Sequence, residues 1–137
     1  MNIGSVASVS AIVQNVTNAR SLFINGLGLN FEGGEGEYVF TEKLPGVRHF
    51  GLWSLQEAAT ACFGSTEWPQ DVPIPHASIE FEVDSTEEVA AAEEKLRAAG
   101  YQPLHEAKTE PWGQTITRFL SADALLVGVC YTPWFHD

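Results

Sequence analysis

The 137 residues carry 18 Asp and Glu against 7 Lys and Arg, a formal net charge of -11, with 45% hydrophobic and 18% charged residues. That composition suits one globular domain, long enough to bury about two-thirds of the surface its unfolded chain exposes, and it excludes a disordered or fibrous chain. The negative field repels nucleic acid phosphates and anionic membrane surfaces, so neither is expected as a partner, whereas cationic ligands are attracted.

MNIGSVASVS at the start has no basic cluster, and ALLVGVCY, the longest apolar run, is far too short to span a bilayer, so a cytoplasmic chain is expected. A first strand is predicted with Ala7, Val9, Ala11 and Val13 on one face and Ser8, Ser10 and Ile12 on the other. Asn15 then caps a helix with Val16, Ala19 and Phe23 on one side, ended by Asn25-Gly26. GEYVFTEKL, VRHFGLWSL and EAATACFG read as three further strands, and GEGE at 34–37 as a hairpin loop. STEWPQDVPIPH collects three prolines and suits a linker, with Trp68 anchoring the junction.

HASIEFEVD alternates again, with Ala77, Ile79, Phe81 and Val83 on one face and His76, Ser78, Glu80 and Glu82 on the other. STEEVAAAEEKLRAAG is a helix. Ser85 and Glu88 form a capping box, Val89, Ala92, Leu96 and Ala99 share a face, and Gly100 follows where a left-handed residue ends helices. YQPLHEAKT, GQTITRFLSA and ALLVGVCYT close the chain as strands. Ser8, Val9, Ala11 and Val13 match Ser78, Ile79, Phe81 and Val83 at a constant offset, and Asn15 matches Ser85, which reads as an internal duplication. The expected fold is therefore α+β, with two βαβββ modules, residues 1–66 and 77–137, joined by a linker at 67–76. Their sheets form one concave mixed half-barrel, with apolar rows beneath the helices and polar rows lining a cleft.

Glu80 stands out among candidate site residues. A carboxylate in a cleft is partly desolvated and serves as a general base or as counter-charge to a basic ligand; the plainer alternative is solvent, or a pair with Arg118. Glu82, nearer the strand end, reads as a solvated carboxylate. His49 and Trp53 alternate onto one face around Gly51, where a mid-strand glycine suits close approach of a ligand; alternatively Phe50 and Leu52 face the cleft and His49 is structural. Trp112, on a loop, could lid a cleft or staple a surface, and Arg118 could clamp an anion or sit in a salt bridge. Cys62 and Cys130 make no CxxC or Cys/His cluster and read as two buried thiols.

Three stretches carry a family resemblance: VSAIVQNVTNARSLFINGLGLNF with Leu22-Phe23 and Leu27-Gly28-Leu29, HASIEFEVDSTEEVAAAEEKLRAAG, and FLSADALLVGV. In this order, spacing and duplication the chain resembles the vicinal oxygen chelate superfamily, which includes glyoxalase I, extradiol dioxygenases and bleomycin resistance proteins. SADA stands where that family usually has DPDGN. The resemblance puts the metal ligands of metal-using members at Ser8, Ser78 and Gly128, and neither a hydroxyl nor a bare glycine is a good ligand. His76 would substitute only if the strand slipped by two residues.

The resulting expectation is a metal-independent protein without cofactor or catalytic residues, sequestering a small aromatic, cationic molecule, as bleomycin resistance proteins do. Its binding set is Ser8, Ser10, His49, Trp53, Ser78, Glu80, Trp112 and Arg118. The alternatives are a metal-dependent lyase, isomerase or dioxygenase, a metal-free proton-transfer catalyst using Glu80 or His49, and a protein with no small-molecule role at all. The family's habit of pairing chains implies a homodimer.

Overall fold

The structure is a computed structural model that describes residues 1–33 and 38–136, so the hairpin loop expected at 34–37 lies outside the described residues. The strands are β1 (Ser5–Val13), β2 (Val39–Thr41), β3 (Phe50–Ser54), β4 (Ala77–Glu82), β5 (His105–Thr109), β6 (Thr115–Leu120) and β7 (Leu126–Tyr131). They form one mixed sheet in the order β2-β3-β1-β4-β7-β6-β5. β1 and β4, the two strands whose sequence patterns match, meet antiparallel at its middle. Each pairs in parallel with the last strand of its own half, β1 with β3 and β4 with β7, so the halves repeat one pairing scheme around the seam. The α+β half-barrel expected from the alternation is the fold observed.

Three α-helices among the described residues accompany the sheet. α1 (Val16–Arg20) starts where Asn15 Oδ1 accepts the Asn18 amide at 3.0 Å, and it widens into a π-helical turn over Ser21–Gly26. α3 (Thr86–Ala98) has the expected capping box: the Glu88 amide donates to Ser85 Oγ at 3.2 Å, and Glu88 Oε2 takes the Asp84 amide at 2.8 Å. Val83, Val89, Ala92 and Val129 form the apolar layer beneath α3; Val16, Val39 and Leu52 form the matching layer beneath α1.

Three expectations are corrected. EAATACFG is not a strand but most of α2 (Leu55–Phe63), capped by Ser54 Oγ on the Glu57 amide at 3.1 Å and ended by Gly64 at φ 74°. An S-x-x-E box, three alanines in the turns that follow and a terminal glycine outweigh a short apolar run. Beside β2, Glu32 and Phe40 form an isolated antiparallel bridge. Secondly, a bulge between Val6 and Ser8 takes Ala7 off the helix side, and Ala7 packs with Ile116 and Cys130 on the concave face. Thirdly, Glu82 is buried at 3% exposure, because the chain end folds back over it: the Thr132 amide donates to Glu82 Oε2, which also bonds His136 Nε2 at 2.8 Å.

Among the described residues no helix is long and apolar enough to cross a membrane.

Candidate functional site

The concave face is floored by the smallest side chains of the central strands. Ser8 and Ser10 of β1 stand opposite Glu80 and Ser78 of β4, and Ser10 also stands opposite Gly51 of β3. Side chains at the sheet's edges, α2 and the chain end rise around this floor to enclose a cavity of about 390 Å³. It is lined by Ser8, Ser10, His49, Trp53, Glu80, Trp112 and Arg118 of the expected set. Ser78, the remaining member, is buried without lining the cavity, and its hydroxyl has no hydrogen-bond partner. Phe50 and Leu52 point away from the cavity, onto the layer beneath α1.

One wall is aromatic. Tyr38, Phe40 and His49 lie nearly parallel, with ring centroids 5.0–5.8 Å apart. Gly51 makes room for it: a Cβ there would stand 2.0 Å from Tyr38 Oη. His49 bridges two partners, Nδ1 to Glu42 Oε2 at 2.7 Å and Nε2 to Tyr38 Oη at 2.6 Å. Burial holds the Tyr38 phenol well above the usual tyrosine range, a hydrogen bond with Ser10 opposes this, and the charges of Glu80, Glu57 and Glu42 add to the rise. The phenol therefore stays protonated at ordinary pH.

The facing wall is a polar chain. Gln114 Nε2 donates to Glu80 Oε1 at 3.0 Å and to Thr132 Oγ1 at 3.1 Å, and Trp112 Nε1 donates to Gln114 Oε1 at 3.0 Å. Glu80 is thus fixed by an amide and not by a cation. Arg118, 1% exposed, spends its charge elsewhere: Nη2 meets Glu110 Oε2 at 3.3 Å, Nη1 meets His105 Nε2 at 3.1 Å, and Cζ lies 5.5 Å from the Trp53 ring centroid. Its Nε is buried without a partner. Burial, followed by the charges of Arg118 and Lys108, lowers the His105 pKa against an opposing bond to the Glu106 carbonyl.

Eight lining residues escaped the sequence reading: Tyr38, Phe40, Glu42, Glu57, Gln114 and Thr132, and Trp134 and Phe135 of the chain end. Alternation in YVFTE places Tyr38, Phe40 and Glu42 on one face, a signal present in the sequence. Nothing local places Trp134 and Phe135 over the cavity.

The positions marked for a metal do not fit one. Ser8 offers a hydroxyl, Ser78 does not reach the cavity, and at Gly128 even a Cβ would come within 2.9 Å of Ile116 Cδ1 and 3.2 Å of Glu80 Cγ. Among the described residues no three His, Cys, Asp or Glu side chains are grouped to hold an ion. His76 is exposed and belongs to a separate hollow of about 450 Å³ beside α1, with Asn15 and Ile74. Cys62 and Cys130 are free and buried, and burial pushes the Cys62 thiol up to about 11.

Solved structures share this architecture. The chain is similar to a protein described as an NAD-dependent benzaldehyde dehydrogenase from Legionella pneumophila, with 15% identity, 90% of this chain and 96% of that one covered, and a TM-score of 0.62. It is similar to a glyoxalase/bleomycin resistance protein/dioxygenase superfamily member from Vibrio splendidus, with 16% identity, coverage of 93% and 98%, and a TM-score of 0.58. It also matches a mutant form of homoprotocatechuate 2,3-dioxygenase from Brevibacterium fuscum at 16% identity and a TM-score of 0.61, over 95% of this chain and 33% of that one. At such identities the likeness is one of fold. Comparison with curated protein sequences gives no match. The family model for the Glyoxalase/Bleomycin resistance protein/Dioxygenase superfamily matches residues 5–129, and with nearly the whole chain so covered, the protein belongs to that superfamily.

Proposed function

We propose that the protein binds a small aromatic cation in the concave cavity without a metal and sequesters it, as a cytoplasmic homodimer whose ligands include basic aromatic antibiotics. The observation that carries this reading is the make-up of the lining. Six Phe, Tyr and Trp rings surround the floor with three carboxylates, Glu42, Glu57 and Glu80, against one arginine already paired with Glu110. A cation over such rings gains about 0.5–2 kcal/mol per contact, more as water is excluded, and a net charge of -11 draws it in.

Three of the four tryptophans line the cavity, so intrinsic fluorescence reports occupancy. Titration with proflavine should quench it saturably, while anthracene-9-carboxylate, an anion of matching ring area, should not. Glu80→Gln should weaken proflavine by about tenfold, equivalent to about 1.4 kcal/mol. Metal analysis of the purified protein distinguishes this reading from the competing metal-dependent one. One stoichiometric Ni, Zn, Fe or Mn per chain, with cation binding unaltered by Glu80→Gln, would overturn the proposal.

A further inference from the structure

The aromatic wall contains more than an aromatic wall needs. Glu42, His49 and Tyr38 are joined in line, carboxylate to imidazole at 2.7 Å and imidazole to phenol at 2.6 Å, and the phenol end meets Ser10 on the cavity floor. A carboxylate can only accept, so Nδ1 carries its hydrogen. With His49 as the imidazolium, both ring nitrogens donate, Nδ1 to Glu42 and Nε2 to Tyr38 Oη, which frees the phenol proton for the cavity. With His49 neutral, Nε2 takes the phenol's hydrogen bond. The line therefore passes a proton in either direction between ring and cavity.

Across the floor stands a second group suited to proton transfer. Glu80 has one hydrogen bond among the described residues, Gln114 Nε2 to Oε1, which leaves Oε2 without a partner. The register puts Gly51, beneath Tyr38, two strand spacings of about 4.8 Å from Ser78 through Ser10, and Glu80 lies two residues further along β4, so the two backbone positions stand about 12 Å apart. Ser8 and Ser10 fill that gap with hydroxyls only, so a ring bearing a short carbonyl side chain spans from one group to the other.

We propose that the cavity also catalyses metal-free proton transfer on an aromatic carbonyl compound with an acidic C–H next to the carbonyl, with Glu80 as base and Tyr38 as proton donor. In the forward step the Glu80 carboxylate takes the C–H proton and the C–H electron pair becomes the C=C bond of an enol. The C=O π pair moves onto oxygen, which takes the Tyr38 proton while the phenol takes one from His49 Nε2. Return of the Glu80 proton to carbon, and of the enol proton through Tyr38 to His49, restores every group. The raised phenol pKa agrees with a tyrosine that relays a proton and does not rest as phenolate. Glu42 and His49 are positioning and relay residues.

This inference rests on the reading that the cavity holds small aromatic molecules, and one probe separates the two. 4-Acetyl-1-methylpyridinium is an aromatic cation whose acetyl protons exchange with D2O. Proton NMR should show loss of the acetyl signal about a hundredfold faster with the protein than in buffer. Tyr38→Phe and Glu80→Gln should each return exchange to near the buffer rate, with the probe's tryptophan quenching retained in Tyr38→Phe. His49→Ala should lose exchange and regain part of it with added imidazole, which a merely structural role would not allow. Glu42→Gln, altered at the relay's outer end, should slow exchange and serves as the second variant should Tyr38→Phe not fold. Quenching with exchange at the buffer rate would overturn proton transfer and leave binding standing; no quenching would overturn both. Undiminished exchange in folded Tyr38→Phe, or in Glu42→Gln, would also overturn it.

Discussion

Ala124 is the one non-glycine residue with positive φ among the described residues, at 64°, in the Ser121–Leu125 turn that feeds β7. It stands where the resemblance places the glycine of the DPDGN turn, and a Cβ in this left-handed conformation costs about 1 kcal/mol. Ala124→Gly should raise stability by about that amount, less the entropy glycine adds to the unfolded chain, as read by urea denaturation. His105 makes a prediction of opposite character. Burial lowers its pKa, so the native chain keeps the ring neutral where the unfolded chain, with an ordinary value of 6.5, binds a proton. Stability from this group is present above pH 6.5 and is lost as pH falls below it toward the folded pKa. Denaturation at pH 7.5 and 5.5 should show the loss, and His105→Gln should reduce the slope.

At the level of the element, β3 and α2 show how local chemistry positions the cavity. Tyr38 lies across the β3 backbone only because residue 51 lacks a Cβ. Gly51→Ala should displace the phenol, break the His49–Tyr38 bond and weaken proflavine binding by about tenfold or more, while Gly4→Ala, whose Cβ would meet only the Glu82 carbonyl oxygen at an ordinary 3.8 Å, should leave binding unchanged. α2 then closes one end of the hollow, with Ala58, Ala61 and Cys62 packed on Ile12, Trp53 and Leu126. Its start and stop signals, Ser54, Glu57 and Gly64, are those that mark α3, and they were legible. The apolar content of EAATACFG was the misleading cue, since a short buried helix and a short buried strand share it.

On the scale of the molecule, charge acts on fold and ligand in opposite senses. A net charge of -11 repels itself in the compact state, so thermal stability should rise between 10 mM and 300 mM NaCl as the Debye length falls from about 30 Å to below 8 Å. Over the same range proflavine affinity should fall, because the attraction that guides a cation to Glu80 is screened. Differential scanning fluorimetry and quenching titrations at matched salt test the two senses together. The mixed sheet, with β1 and β4 at its seam, allows both halves to contribute to one cavity, so that Glu80 of the second half faces Tyr38 and His49 of the first.

Local pattern alone determined the duplicated strand-helix starts, the capped α3, the polar face of β1 and β4, and seven of the cavity's lining residues. A period of two in a strand and an S-x-x-E box in a helix are written within a few residues. Tertiary structure decided the partners. Glu82 becomes a buried anchor because Thr132 and His136, fifty or more positions away, return to it. Arg118 pairs with Glu110 and leaves Glu80 to Gln114, a choice between two carboxylates that composition does not make. Trp134 and Phe135 reach the cavity only because β7 lies beside β4. Periodicity assigns a side chain to a face; what shares that face depends on strand order, which no single stretch of the chain contains.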